Sequence, residues 1–103
     1  MGAGIVEIRW RENIRDGMFE AWIGETQVGE MTYIRRGENM TIDHTHVFDG
    51  YEGQGIARQL VLAAVEFARS HGRKIIPLCS YAKAFFARNE EYRDVVRGER
   101  VNE

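Results

Sequence analysis

From Val6 to Trp10 apolar and polar positions alternate, with Val6, Ile8 and Trp10 on one side and Glu7 and Arg9 on the other. A period of two is what a strand with one buried face requires. "MFEAWIG" and "VGEMTYI" continue in strand-like runs, and Gly24 followed by "ETQ" supplies the turn of a hairpin between them. "RRGEN" is a second polar turn. Beyond it "MTIDHTHV" reads as a fourth strand, carrying the β-branched Thr41, Ile42, Thr45 and Val47. Four antiparallel strands in a meander are expected.

At Ile56 the period changes. Ile56, Leu60, Ala64, Phe67 and Ala68 recur at helical spacing, Val61 and Leu62 widen the stripe, and Gly72 supplies a left-handed stop. "KIIPL" is a short buried strand closed by Pro77. "SYAKAFFARN" then restarts the helical period with Ser80 as its expected N-cap. A helix joining two strands of one sheet makes them parallel through a right-handed crossover. The expected fold is α+β: a mixed sheet, antiparallel at first, then a parallel β-α-β unit and a C-terminal helix. Residues 1–103 are expected to form one domain with a polar tail from about residue 97.

Composition narrows the function more than the fold. A hydrophobic content of 44% and a charged content of 29% are those of a globular chain. The net charge of −2 gives no electrostatic case for nucleic acid or an anionic membrane. No apolar run reaches the length of a membrane span, and the first residues lack the basic-then-apolar order of an export signal. Cys79, alone in the sequence, excludes an internal disulfide and suits a reducing compartment. A cytoplasmic protein, plausibly a monomer, is expected.

The chemistry concentrates in "HTHVFDGYEGQGIARQL", residues 44–60. Its helix begins just after Gly53-Gln54-Gly55, so the free N–H groups of the first turn point into the loop and attract anions, phosphates above all. Gln54, Gly55, Ile56, Ala57 and Arg58 could offer N–H groups to a pyrophosphate, and Arg58 a positive charge. A tight turn with positive φ explains two glycines equally well. The loop is not a P-loop, which needs Gly-Lys-Ser/Thr, nor a dinucleotide fingerprint, which needs three spaced glycines.

The run "YEGQGIARQLVLAAVEFARSHGRKIIPLCSYAKAFFARN" resembles the acetyl-CoA-binding half of the GNAT superfamily of N-acetyltransferases. "HTHV", the glycine loop, "IIPLCSYA" and "RNEEY" resemble its compact single-domain members (the YjdJ type). The likeness covers Ile42 to Tyr92. It implies a short GNAT fold, without the helices that flank the first two strands, and acetyl-CoA or coenzyme A as the cofactor. Gly55 and Ala57 fill the last two places of the Arg/Gln-x-x-Gly-x-Gly/Ala motif, whereas Glu52 stands where Arg or Gln is usual. The resemblance further implies a thioester contact at the backbone N–H of Val47 and cofactor contacts at Gly53, Ser80, Asn89 and Tyr92.

Acetyl transfer to an amine needs an oriented thioester, a stabilised oxyanion and a group to take the proton. Cys79, beside a helix start, could take the acetyl group transiently or only border the thioester; a free cysteine is also a common core residue. His44 is the candidate base, since histidine titrates near neutrality. Plain alternation puts Ile42, His44 and His46 on one strand face, and the fourth and fifth strands, expected to be neighbours, would bring His44 towards Cys79. Zinc held by these histidines and Cys79 is not expected, for want of a further ligand pair. The expected activity is transfer of an acetyl group to an unidentified small-molecule or protein amine. The alternative is an acyl-CoA-binding or regulatory module with little turnover, in keeping with Glu52 and the missing acceptor walls.

Overall fold

Alternation builds the first four strands as expected. In the computed structural model, which describes residues 4–97, β1 (Val6–Glu12), β2 (Asp16–Ile23), β3 (Thr26–Arg36) and β4 (Asn39–Val47) form an antiparallel meander. Helix α1 (Ile56–His71) then crosses to β5 (Lys74–Pro77), which pairs with β4 in parallel. The sheet order is β1-β2-β3-β4-β5. Helix α2 (Ser80–Arg88) and a 3-10 turn (Glu90–Val95) follow, and the chain rejoins the sheet through a parallel bridge between Val96 and Ile75. The tail expected from about residue 97 lies outside the described residues, apart from Arg97.

One cluster of buried side chains holds these elements together. Phe19 and Ala21 of β2, Met31 and Tyr33 of β3, and Met40 and Ile42 of β4 meet Ile56, Leu60, Val61, Ala64, Val65 and Ala68 of α1. Fully burying a side chain of valine or leucine size contributes about 1.5–3 kcal/mol, so this stripe fixes which way α1 faces. Ala82 and Phe85 of α2 and Val95 of the 3-10 turn join the same cluster. α1 ends as expected on Gly72, at φ 68°.

The other sheet face carries Arg9, Arg11, Met18, Glu20, Trp22, Glu30 and Thr32, none of them buried. Here side chains cover one another. The Arg9 guanidinium lies 4.2 Å from the centre of the Trp22 ring, and Arg11 is bonded to Glu20 at 2.8 Å.

At the β1 end of the inner face, Glu12 gathers three donors. It takes Arg73 at 2.5 Å and the Tyr33 hydroxyl at 2.5 Å on Oε1, and Arg35 at 2.6 Å on Oε2. The Tyr33 ring reaches this carboxylate because Gly17 faces it; a β-carbon there would overlap the ring. The Arg73 hydrogen bond holds the Glu12 carboxyl below the usual carboxylate range against the opposing effect of burial. Burial first, then the bond to Glu12, pushes the Tyr33 phenol up to about 12.

Candidate active site

Two irregularities of the sheet shape the site. The first is a bulge in β4. Thr32 pairs with His44 and Tyr33 with Ile42, which leaves Asp43 as the extra residue. Alternation therefore slips by one. Ile42 faces the core, and so does Thr45, opposite the buried Met31. His44 and His46 turn to the outer face with Thr32 and Glu30. The expected shared face of Ile42, His44 and His46 is corrected by this extra residue.

The second irregularity is a parting of strands. β5 pairs with β4 only from Asn39–Lys74 to Ile42–Pro77. The Ile42 carbonyl then accepts the N–H groups of both Leu78 (2.9 Å) and Cys79 (3.0 Å), and the chain turns away into α2. β4 runs on to Val47 without a partner on that side. The Phe48 N–H donates to the Val28 carbonyl of β3 at 2.9 Å. Since N–H direction alternates along a strand, those of Thr45 and Val47 point the other way, into the gap.

The start of α1 stands beside this gap. Its N-cap is Gly55, at φ 77° and ψ 16°, with no side-chain capping bond. A β-carbon at Gly55 would meet nothing within 4 Å, so the demand for glycine is torsional rather than spatial. The first helical N–H to be bonded is that of Gln59, to the Gly55 carbonyl at 3.1 Å. The N–H groups of Ile56, Ala57 and Arg58 remain free, as at any uncapped helix start. A groove of about 250 Å³ opens there, lined by Val47, Tyr51, Glu52, Gly53, Gly55, Ile56, Ala57, Arg58 and Tyr81. Glu52 turns one carboxylate oxygen onto the N–H of Gly50 at 3.0 Å. The Arg58 guanidinium sits over the Phe85 ring, 5.4 Å from its centre.

Cys79, not the expected Ser80, caps α2. Its sulfur accepts the Ala82 N–H at 3.4 Å and lies 3.4 Å from the Thr45 hydroxyl. Ser80 is exposed. His44 does not join the thiol. It stands half exposed on the outer face, with Nε2 3.5 Å from the Glu30 carboxylate and its ring 5.9 Å from that of His46. The two histidines and the cysteine therefore lie on opposite sides of the sheet.

Gly53, Gly55, Ile56, Ala57, Arg58 and Val47 come together at the groove, with Gln54 exposed in its loop. Asn89 and Tyr92 do not line it. The Asn89 side chain donates to the Phe85 carbonyl at 2.8 Å and ends α2. The Tyr92 ring stacks on Phe85 at 5.7 Å and lies under Arg69. Tyr51, Tyr81 and Thr45 are at the site without having stood out in the sequence as firm candidates. An aromatic residue just ahead of the glycine loop was the available signal for Tyr51; Thr45 and Tyr81 were marked only by lying within "HTHV" and "IIPLCSYA", Tyr81 as a lesser match for a cofactor contact.

Known proteins share this fold. The family model described as GCN5-related N-acetyl-transferase matches residues 18–95. A GCN5-like protein from Staphylococcus aureus, solved by NMR, is 31% identical over 99% of this chain and 96% of its own, with a TM-score of 0.67. The Bacillus subtilis acetyltransferase solved with CoA is 21% identical over 69% of this chain and 63% of its own, with a TM-score of 0.58. An aminoglycoside acetyltransferase from a soil metagenome, solved with sisomicin, is 22% identical over 74% of this chain and 57% of its own, with a TM-score of 0.62. The last two are longer proteins, of which this chain spans less than two thirds, and at such identity they show a shared fold. The Staphylococcus aureus protein matches nearly end to end. With a family model running from β2 through the 3-10 turn, parted β4 and β5, and an uncapped helix start between them, the chain belongs to the GCN5-related N-acetyltransferase family.

Proposed function

We propose that this protein takes an acetyl group from acetyl-CoA and passes it to an amine in the cytoplasm. The observation that carries this reading is the gap beyond Ile42 and Pro77, into which two backbone N–H groups of β4 point beside the open N-terminus of α1. The donor set fits the cofactor. The free N–H groups of Ile56, Ala57 and Arg58, with the loop Gly53–Gly55, would hold the pyrophosphate, and small Ala57 permits close approach. The N–H of Val47 would hold the thioester carbonyl and stabilise the oxyanion as it forms. Tyr81 lines the same groove and would pack along the pantetheine arm.

Cys79 is the nucleophile of the first step on this reading, because its sulfur lies at the inner side of the gap next to Thr45. The amine arrives from the outer face, which no helix covers among the described residues. His44, paired there with Glu30, would take the proton of the attacking amine. A cationic amine suits that approach, since the Asp43 carboxylate lies on the same face, bonded to the Thr32 hydroxyl at 2.8 Å.

The test is to add acetyl-CoA and follow both thermal unfolding and the mass of the intact chain. A ligand that binds only the native state must stabilise it, by about 2.7 kcal/mol at a hundredfold excess over its dissociation constant. Acetyl-CoA is expected to raise the melting temperature and add one acetyl group, and Cys79→Ser to abolish the adduct while keeping the thermal shift. No shift at saturating acetyl-CoA would overturn the reading. A shift with no CoA release against a panel of amines would make the chain a binding module.

A further inference from the structure

Plain alternation along β4 hides Thr45, because it assigns the inner face to His44. The bulge at Asp43 reverses this, and the Thr45 hydroxyl stands 3.4 Å from the Cys79 sulfur. The backbone around that sulfur is already fixed. The N–H of Cys79 is tied to Ile42, its carbonyl accepts the Lys83 N–H at 3.0 Å, and its sulfur accepts the Ala82 N–H as the cap of α2. Beyond those bonds the sulfur has one further polar contact among the described residues, the Thr45 hydroxyl. As a β-branched residue in a strand, threonine has a stiff χ1, so its hydroxyl is a fixed post. It belongs to β4 and Cys79 to the turn after β5, so the contact joins the two strands beyond the point where their pairing ends.

We propose that Thr45 is a positioning residue, whose hydroxyl holds the Cys79 sulfur in line for the thioester carbonyl presented in the gap. The inference rests on Cys79 as the group acetylated first. In that step a bond forms between the Cys79 sulfur and the acetyl carbon. The bond from that carbon to the CoA sulfur breaks, and the thiol proton ends on the CoA sulfur, which leaves as free CoA. Thr45 makes and breaks no covalent bond. Its effect is on the orientation of the attacking atom, a factor to which transfer rates are sensitive within about 1 Å.

Thr45→Val keeps the branched shape and deletes the hydroxyl, and Thr45→Ser keeps the hydroxyl. Thermal unfolding of each variant establishes that it is folded. Single-turnover formation of the Cys79 adduct is followed by intact mass, and acetyl-CoA affinity by calorimetry. Thr45→Val is expected to slow adduct formation about fivefold to tenfold, the equivalent of one lost hydrogen bond. Its affinity for acetyl-CoA should stay within twofold of the parent, and Thr45→Ser should restore most of the rate. Alkylation of Cys79 by iodoacetamide, which reaches the sulfur without a bound partner, should change far less than acetyl transfer. Equal adduct rates in Thr45→Val and the parent would overturn the proposal while leaving Cys79 as the nucleophile. So would equal slowing in the Val and Ser variants, which would point to shape rather than the hydroxyl. A parent protein that binds acetyl-CoA and never gains an adduct would remove the underlying reading, and the proposal with it.

Discussion

Single side chains at the groove pull in opposite directions. Arg58 brings a positive charge to the start of α1, but its guanidinium already rests over Phe85. Glu52 brings a negative charge to the same groove, where motif agreement calls for Arg or Gln, and its carboxylate is held by the Gly50 N–H. That bond ties the loop together, and on the proposed reading the charge it fixes there repels an anionic ligand. Glu52→Gln keeps an oxygen to accept the Gly50 N–H and removes the charge. It is expected to tighten acetyl-CoA binding about threefold at low salt and to lose that advantage near 1 M salt. Titration calorimetry at both salt concentrations measures it; an affinity unmoved at low salt would mean that the ligand phosphates lie too far from Glu52 to feel it. Residue identity was well read wherever backbone conformation decided it. Gly55 and Gly72 both adopt the positive φ that their positions in the sequence implied. Side-chain partnership was not legible. The cap of α2 is a thiol one residue ahead of the serine that propensity favours, because the turn after Pro77 brings Cys79 rather than Ser80 opposite the Ala82 N–H.

At the scale of elements, strands and helices were legible because their periods differ, and the start of α1 falls on Ile56 as the apolar stripe indicates. A bulge leaves no such trace. "TIDHTH" contains nothing that marks Asp43 as the extra residue, and its insertion exchanges the faces of everything from His44 to Val47. That single residue accounts for the misplacement of His44 relative to Cys79. The end of β5 pairing was equally silent, although Pro77, which cannot donate to a ladder, stands at the last paired position. Together these features give β4 an uneven ladder. His44 and His46 share the N–H direction of Phe48, towards β3, whereas Thr45 and Val47 face the gap. Amide exchange into deuterium oxide, read residue by residue by NMR, is expected to be about a hundredfold faster at Thr45 and Val47 than at His44 and His46. Acetyl-CoA should slow Val47. Uniform protection across the four would mean that the gap closes in solution.

Across the whole molecule, one carboxylate ties together parts of the chain that are far apart in sequence. Glu12 ends β1, Arg35 lies near the end of β3, and Arg73 is in the connection from α1 to β5. The Glu12 side chain is only 8% exposed, so removing its charge strands two arginines; Glu12→Gln is expected to cost about 3 kcal/mol at neutral pH. Because the folded protein holds this carboxyl below its ordinary value of 4.5, the contribution is complete above that value. It fades as pH falls through the lower folded value. Urea midpoints of the parent and Glu12→Gln should therefore differ by a constant amount from pH 7 to about pH 5 and converge in stronger acid. A gap that persists undiminished to pH 2 would contradict the assignment. On the same scale, both helices pack on one side of the sheet and, among the described residues, no helix covers the other, so on the proposed reading the parting of β4 and β5 works as a doorway through a wall one sheet thick. On the proposed reading, the acyl donor stands on one threshold and the amine on the other. Neither reactant has to vacate its place for the other to enter, and each is in competition only with the product formed on its own side.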